Sequence, residues 1–295
     1  MRPMTAAHNS APLDFKTLGR RCQNEKPPMK IRKIQVNAFP AVSPSTKAAL
    51  LFVHGAYVDA SCWKFFFVPF FQQQGYDCFT IDLAGHGKSA DRARINDFGL
   101  NDYVDDLAFA VEKIARPCIV VGHSMGARVL EKFLETGHAE AAIFLAPIPT
   151  TGTAGSAVQL ALRFPSFFEC LDAAVNGKIS AKTAELMTKI YFSPSVSTAE
   201  ALKFLPMLCP ESLQAVTEMA LPDVRLCVRR PKLPALVIGG TEDAVFPASM
   251  LYFMASAWRA ELYRAKGAGH MLMLEPEWEI VAHYMLQWME KHVAV

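Results

Sequence analysis

The chain has 295 residues, 52% of them hydrophobic, and a formal net charge of +2. That content suits one sizeable core rather than two independent domains, and the near-neutral balance gives no case for a nucleic-acid partner. Seven scattered cysteines without a C-x-x-C pair, and eight histidines without H-E-x-x-H or H-x-x-E-H spacing, argue for reduced thiols in a cytoplasmic setting and against a disulfide framework or a metal centre.

Residues 1–30 are polar and proline-containing, with no apolar stretch near Met1. They read as a poorly ordered N-terminal extension rather than a signal peptide. A strand is predicted at 31–39, and the apolar run at 49–53 reads as a buried strand that ends in His54-Gly55-Ala56. The phenylalanine-rich stretch at 63–73 reads as a helix, not a membrane anchor; it is hydrophobic on nearly all sides because the sheet and the helical stretch at 150–230 are both expected to cover it. A strand at 77–81 leads into Ile81-Asp82-Leu83-Ala84-Gly85-His86-Gly87-Lys88-Ser89. There Asp82 and His86 read as ordering a turn, with glycines at positive-φ positions, rather than as an acid–base pair. An amphipathic helix is predicted at 100–114.

The next elements carry the strongest chemical signal. Gly122-His123-Ser124-Met125-Gly126 fits G-x-S-x-G between a buried strand at 117–121 and a helix at 127–135. Such a turn holds the serine in a strained conformation, so small neighbours are needed at Gly122 and Gly126, and the Met125 amide faces the same space as the hydroxyl. A serine hydroxyl is a weak nucleophile at neutral pH and needs a base within hydrogen-bond reach.

A strand at 141–145 follows, and then residues 150–230 break the alternation, with helical periodicity at 157–175, 181–191, 198–205 and 211–219. The longest uncharged run, 141–162, is interrupted by Pro147, Pro149, Gly152 and Gly155, so no transmembrane helix is predicted. The basic group Arg229, Arg230 and Lys232 reads as a solvated linker. A strand at 233–238 ends in Gly239-Gly240-Thr241-Glu242-Asp243, which puts two candidate carboxylates just past a strand's carboxyl end, where such sheets place active sites. A helix at 248–257, a strand at 260–264, the glycine-rich loop Gly267-Ala268-Gly269-His270 and a helix from Trp278 complete the chain. Strands alternating with helices at these lengths imply an α/β fold, with a mostly parallel central sheet and helices on both faces.

These motifs resemble the α/β-hydrolase superfamily, of the capped esterase and lysophospholipase-like type. The resemblance rests on His54-Gly55-Ala56 followed by Trp63, the D-x-x-G-x-G-x-S loop from Asp82 to Ser89, the Ser124 elbow, and Gly267-Ala268-Gly269-His270 followed by Glu275-Pro276. It spans about residues 30–295 and is weakest over 150–230. It implies a core of residues 31–149 and 231–295, with a helical cap at 150–230 that excludes water and shapes the pocket. It also implies a triad of Ser124, Asp243 and His270, with Asp243 preferred to Glu242 because the run to Pro247 has the family's G-x-x-D-x-x-x-P form. The oxyanion-hole amides would be those of Ala56 and Met125, with Tyr57 the second choice for the first donor. Phe167, Phe168, Phe246 and Met271 are expected at the substrate, while His54 and His123 brace the loops around the site. No cofactor or metal is implied.

The function so implied is hydrolysis of a carboxylic ester, thioester or lactone of a small, largely apolar molecule through an acyl-enzyme on Ser124. C–C bond hydrolysis, acyl transfer or lyase chemistry would use the same fold. A low-turnover ligand receptor is the alternative from another class. Dehalogenase or epoxide-hydrolase chemistry would need Asp where Ser124 stands. Oligomeric state is left open.

Overall fold

Apolar runs form the centre of the fold. The computed structural model describes residues 33–222 and 230–293. Strands β2 (Ala49–Val53), β4 (Cys118–His123), β5 (Ala141–Leu145) and β6 (Ala235–Gly240) are buried along their whole length, as parallel strands covered on both faces must be. With β1 (Gln35–Phe39), β3 (Cys78–Asp82) and β7 (Glu261–Ala265) they form a seven-stranded sheet among the described residues, in the order β1-β3-β2-β4-β5-β6-β7. Neighbours are parallel except for β1 against β3.

Successive side chains of a strand face opposite layers. Leu50, Phe52, Ile119, Val121, Ile143 and Leu145 join α1 (Phe67–Gln73) and α10 (Trp278–His292) in one apolar cluster. Ala49, Leu51, Val53, Val120, Ala142 and Phe144 join α2 (Leu100–Ile114), α3 (Met125–Phe133) and α9 (Leu251–Trp258) in the other. Each fully buried Leu or Phe contributes roughly 1.5–3 kcal/mol. Register then aligns the strand ends: Val53 lies beside Gly122, His123 beside Leu145, Leu145 beside Ile238, and Gly240 beside Ala265. The loops that leave β2, β4, β6 and β7 therefore share one edge of the sheet.

Several boundaries differ from the expected ones for local reasons. Of the predicted strand at 31–39, residues 35–39 are strand, and 31–32 lie outside the described residues, as does the extension at 1–30. The predicted helix at 63–73 is divided. Ala60–Trp63 is a short 3-10 turn capped by Asp59, whose carboxylate accepts from the Ser61 amide at 2.8 Å, and α1 starts at Phe67. Its cover comes from the sheet and from α10, where Phe66 stacks on Trp278 at 5.0 Å; Phe65 meets Phe204 edge-on. The predicted 157–175 helix is two helices, α4 (Ala154–Arg163) and α5 (Phe167–Val175). Pro165 lacks an amide proton and disfavours helical geometry at Phe164, which sits at φ −134 and ψ 81. Then come α6 (Ala181–Tyr191), α7 (Thr198–Ala201), a 3-10 stretch Leu202–Met207 containing Pro206, and α8 (Leu213–Ala220). These helices fill the chain between β5 and β6; residues 223–229, Arg229 among them, lie outside the described residues.

Arg230 corrects the expectation of a solvated linker. Its guanidinium meets the Glu131 carboxylate at 3.0 Å and lies 4.8 Å over the Trp258 ring. Glu131 is buried, takes the Trp258 indole N–H and also meets Arg128 at 3.2 Å, so Arg230 joins a buried ionic cluster rather than solvent.

The insertion is tied to the loop after β3 by a buried charge pair. His86 Nε2 meets Glu211 Oε2 at 3.1 Å, and both side chains are fully buried. His86 Nδ1 donates to the Ala84 carbonyl at 3.0 Å, while Glu211 Oε1 accepts from the Tyr103 hydroxyl and the Ser212 amide, each at 2.8 Å. With both ring nitrogens facing acceptors, His86 is an imidazolium. Burial works against its charge, yet Glu211 outweighs it and His86 is raised; burial also works against the Glu211 charge, yet His86 and the two donors lower its pKa. Asp82, the other residue expected to order this turn, accepts from the Ala60 and Lys88 amides.

Removing one partner of this pair leaves a buried charge alone. Glu211→Ala is expected to cost about 3–5 kcal/mol in urea unfolding at neutral pH, and Glu211→Gln less. A loss under about 1 kcal/mol for Glu211→Ala would show that the pair holds nothing together.

Candidate active site

The site is built on close approach. Ser124 sits between β4 and α3 at φ 51 and ψ −111, a left-handed φ that costs a side-chain-bearing residue energy. Its amide donates to the Leu145 carbonyl at 2.9 Å, and its carbonyl accepts from Ala127 at 3.1 Å, which pins both sides of the turn. A Cβ at Gly122 would lie 2.5 Å from the Gly126 carbonyl oxygen, and one at Gly126 would lie 2.4 Å from that of Val53. A Cβ at Gly55 would lie 2.7 Å from His123 Nδ1 and 3.2 Å from Ser124 Cβ. The His54-Gly55 turn and the elbow are thus pressed together, and only glycine fits at these three places. The α3 helix starts at Met125, two residues before the expected 127, because the Ser124 carbonyl already accepts helical bonds.

The loop after β6 brings Asp243 to His270, in the loop after β7. Asp243 Oδ2 and His270 Nδ1 are 2.8 Å apart, with both side chains 2% exposed. Asp243 Oδ1 accepts from the Val245 and Phe246 amides at 2.8 and 2.9 Å, so the carboxylate is clamped before it meets the ring. Glu242, the other carboxylate, is exposed and touches Thr241. Among the described residues neither the Ser124 hydroxyl nor His270 Nε2 is hydrogen-bonded to protein, and both residues line the same cavity. The amides of Ala56, Tyr57 and Met125 likewise donate to no other group of the described residues.

Buried histidines and a buried glutamate hold these loops. His123 Nε2 donates to the His270 carbonyl at 3.0 Å; burial, then the neighbouring His270, hold it neutral, well below the usual histidine pKa. His54 Nδ1 donates to the Gly55 carbonyl at 2.8 Å and its Nε2 accepts from the Leu83 amide at 3.1 Å. Glu275 reaches back to the end of α6. Its carboxylate accepts from the Ser193 amide at 2.9 Å and from the Ser193 hydroxyl at 2.6 Å. Burial pushes its pKa up to about 7, with the Ser193 and Gly269 donors offsetting only part of that.

A cavity of about 200 Å³ opens above Ser124. Its walls come from the strand-end loops and from the insertion helices, and none of the described lining residues is Lys, Arg, Asp or Glu. Phe167, Phe168, Phe246 and Met271 all line it, as do Ala56 and Tyr57. Phe167 is 5% exposed and Phe168 56%, so one is packed in the wall and the other stands at its outer side. Sequence reasoning did not find Glu211, Ser193 or Tyr191. Their partners are distant in the chain, and no local pattern marks a residue whose only signal is a tertiary contact.

Comparison with known proteins adds three findings. A family model described as the alpha/beta hydrolase family matches residues 50–282. No curated protein matches the sequence. Solved structures share the fold at low identity. A bromoperoxidase from Bacillus anthracis is 20% identical over 88% of this chain and 96% of its own, with a TM-score of 0.71. An esterase from Exiguobacterium antarcticum is 16% identical over the same shares, also at 0.71. A thermophilic esterase from Thermogutta terrifontis is 19% identical over 88% of this chain and 94% of its own, at 0.67.

The raised Glu275 pKa has a stability consequence. A carboxyl whose folded pKa, about 7, exceeds its ordinary value of 4.5 favours the folded state fully below that ordinary value and loses the contribution as pH rises through 7. Thermal unfolding from pH 5 to 8 should therefore show a fall in Tm that is smaller in Glu275→Gln, whose amide can keep both Ser193 bonds. Equal slopes in the two proteins would refute this assignment.

Proposed function

The chain belongs to the alpha/beta hydrolase family, and from that premise we propose that it is a serine hydrolase that cleaves a carboxylic ester, thioester or lactone of a small, largely apolar molecule. The observation that carries the reading is the Asp243–His270 pair at 2.8 Å on the cavity that Ser124 also lines. Asp243 holds the imidazole with Nδ1 protonated, which leaves Nε2 as the base and stabilises the imidazolium that forms. His270 takes the Ser124 proton as the hydroxyl oxygen attacks the acyl carbon, and the carbonyl oxygen gains the charge. When the tetrahedral intermediate collapses, the bond to the leaving group breaks and His270 returns the proton to it. Water then repeats the sequence on the acyl-enzyme, regenerating Ser124 and releasing the acid.

The Met125 amide and that of Ala56, or of Tyr57 as second choice, are the donors proposed for the oxyanion. Each such donor is worth roughly 3 kcal/mol in the transition state. Helices between β5 and β6 act as a cap, covering the scissile bond and excluding water. A lining without formal charge favours a neutral apolar ligand. The five described cysteines are free and buried, which fits a reducing, cytoplasmic setting.

Ser124→Ala is expected to lower hydrolysis of p-nitrophenyl esters by roughly 10³-fold or more and to abolish labelling by a fluorophosphonate. Retained turnover, or labelling at another residue, would sink the assignment. Asp243→Asn should keep the fold and cut turnover strongly, because the amide no longer selects the needed tautomer, whereas Glu242→Gln should change turnover little. The reverse ranking would move the acid to Glu242.

A further inference from the structure

Two phenols stand in the cavity with nothing to bind. Tyr57 and Tyr191 both line it, and among the described residues neither hydroxyl makes a hydrogen bond with protein. Other hydroxyls in the wall are differently placed. Thr188 Oγ1 donates to the Ala184 carbonyl, Thr183 Oγ1 pairs with Ser180, and Thr153 and Ser156 lie at the start of α4. Of the two phenols, Tyr191 faces the His270 ring and Tyr57 follows the His54-Gly55-Ala56 turn.

Both are held in place by the backbone around them. Tyr57 directly follows the His54-Gly55-Ala56 turn and sits at φ 65, which is unfavourable for an aromatic residue. The insertion clamps it there. The Cys209 amide donates to the Tyr57 carbonyl at 3.0 Å, the Asp59 amide donates to the Met207 carbonyl at 3.1 Å, and Val58 bridges Leu208. Tyr191 ends α6, and its carbonyl accepts from the amides of His270 and Met271, each at 3.1 Å. Its ring centroid is 6.0 Å from that of His270. The two rings pack against the same apolar cluster, built on Leu160, Phe167 and Leu171.

We propose that Tyr57 and Tyr191 form a two-donor site for a second oxygen of the substrate, so that the preferred ligand is an uncharged ester carrying a further carbonyl, hydroxyl or ether oxygen within a few bonds of the scissile carbonyl. This deepens the hydrolase reading and rests on it. In a largely apolar wall, a ligand oxygen gives each phenol an acceptor that the described residues do not supply. Burial raises both phenols, Tyr57 to about 12, with Glu211 adding to Tyr57 and the Tyr57 and Asp243 groups adding to Tyr191. Both therefore remain protonated donors at neutral pH. A site built to bond a ligand oxygen discriminates against the analogue that lacks it, because the donors are then left unpaired.

The test compares ethyl hexanoate with ethyl 3-hydroxyhexanoate, whose extra oxygen is on the acyl side, and with 2-hydroxyethyl hexanoate, whose extra oxygen is on the alcohol side. Calorimetric Kd values on Ser124→Ala measure recognition without turnover, and kcat/KM on the unsubstituted enzyme measures it with turnover. At least one oxygen-bearing ester should bind about 10-fold or more tighter than ethyl hexanoate. In the Tyr57→Phe/Tyr191→Phe pair of substitutions that ratio should collapse to within about 3-fold, mainly through KM, and each single substitution should take part of it. No preference with both tyrosines present overturns the proposal, as does a preference that keeps its full size in a folded single variant or survives in the folded double variant. Failure of the hydrolase reading is seen separately, as absence of fluorophosphonate labelling at Ser124, and leaves the binding comparison decisive for the tyrosines.

Discussion

The contact on which the rest of the site depends is the backbone of the elbow pressed against the end of β2. Gly126 lies where any Cβ would strike the Val53 carbonyl, and Gly55 lies where one would strike His123. This allows Ser124 to keep a left-handed backbone between β4 and α3 while the Ala56 and Met125 amides find no acceptor among the described residues. The strain at Ser124 is small beside the burial around it. The adjoining strands β2, β4 and β5 are buried throughout, so the turn cannot relax without moving the sheet's centre. A strained residue at the middle of a core is held more firmly than one at its edge.

Around that contact the insertion is fastened from several sides. The His86–Glu211 pair joins it to the loop after β3, Glu275 joins it through Ser193 to the histidine loop, and the 207–209 segment pairs with Tyr57 and Asp59. Each fastening is polar and buried, which makes it directional. An apolar contact would tolerate sliding by a fraction of an ångström, whereas a carboxylate facing two donors does not. The cavity wall therefore inherits the precision of the sheet even though its helices do not belong to it.

Much of this was legible in the sequence, because parallel sheets impose local signals. Runs such as 49–53 and 141–145 are apolar throughout, and the glycines around Ser124 record backbone proximity one residue at a time. Ser124 and Asp243 stand just past such runs, and His270 stands in the glycine-rich loop after the last strand. The less legible parts have a common cause. The break at Pro165 is a local signal that periodicity over 157–175 overrode. Glu211, Ser193 and the docking of Arg230 on Glu131 and Trp258 arise from tertiary pairing between segments far apart in the chain, and composition reads such residues as surface. Periodicity located the helices of the insertion without saying which of their faces would meet a ligand.

The multiple fastenings also bear on timescale. Swinging the insertion away as a rigid lid would break a buried ion pair, the Ser193 bonds to Glu275 and the pairing of 207–209 at once, and motions of that class take microseconds to milliseconds or longer. Rotating Phe168, already half out of the wall, breaks none of them. Exposed side chains change rotamer in picoseconds to nanoseconds. A rim ring such as Phe168 can therefore move far faster than any rearrangement that would undo the insertion's fastenings.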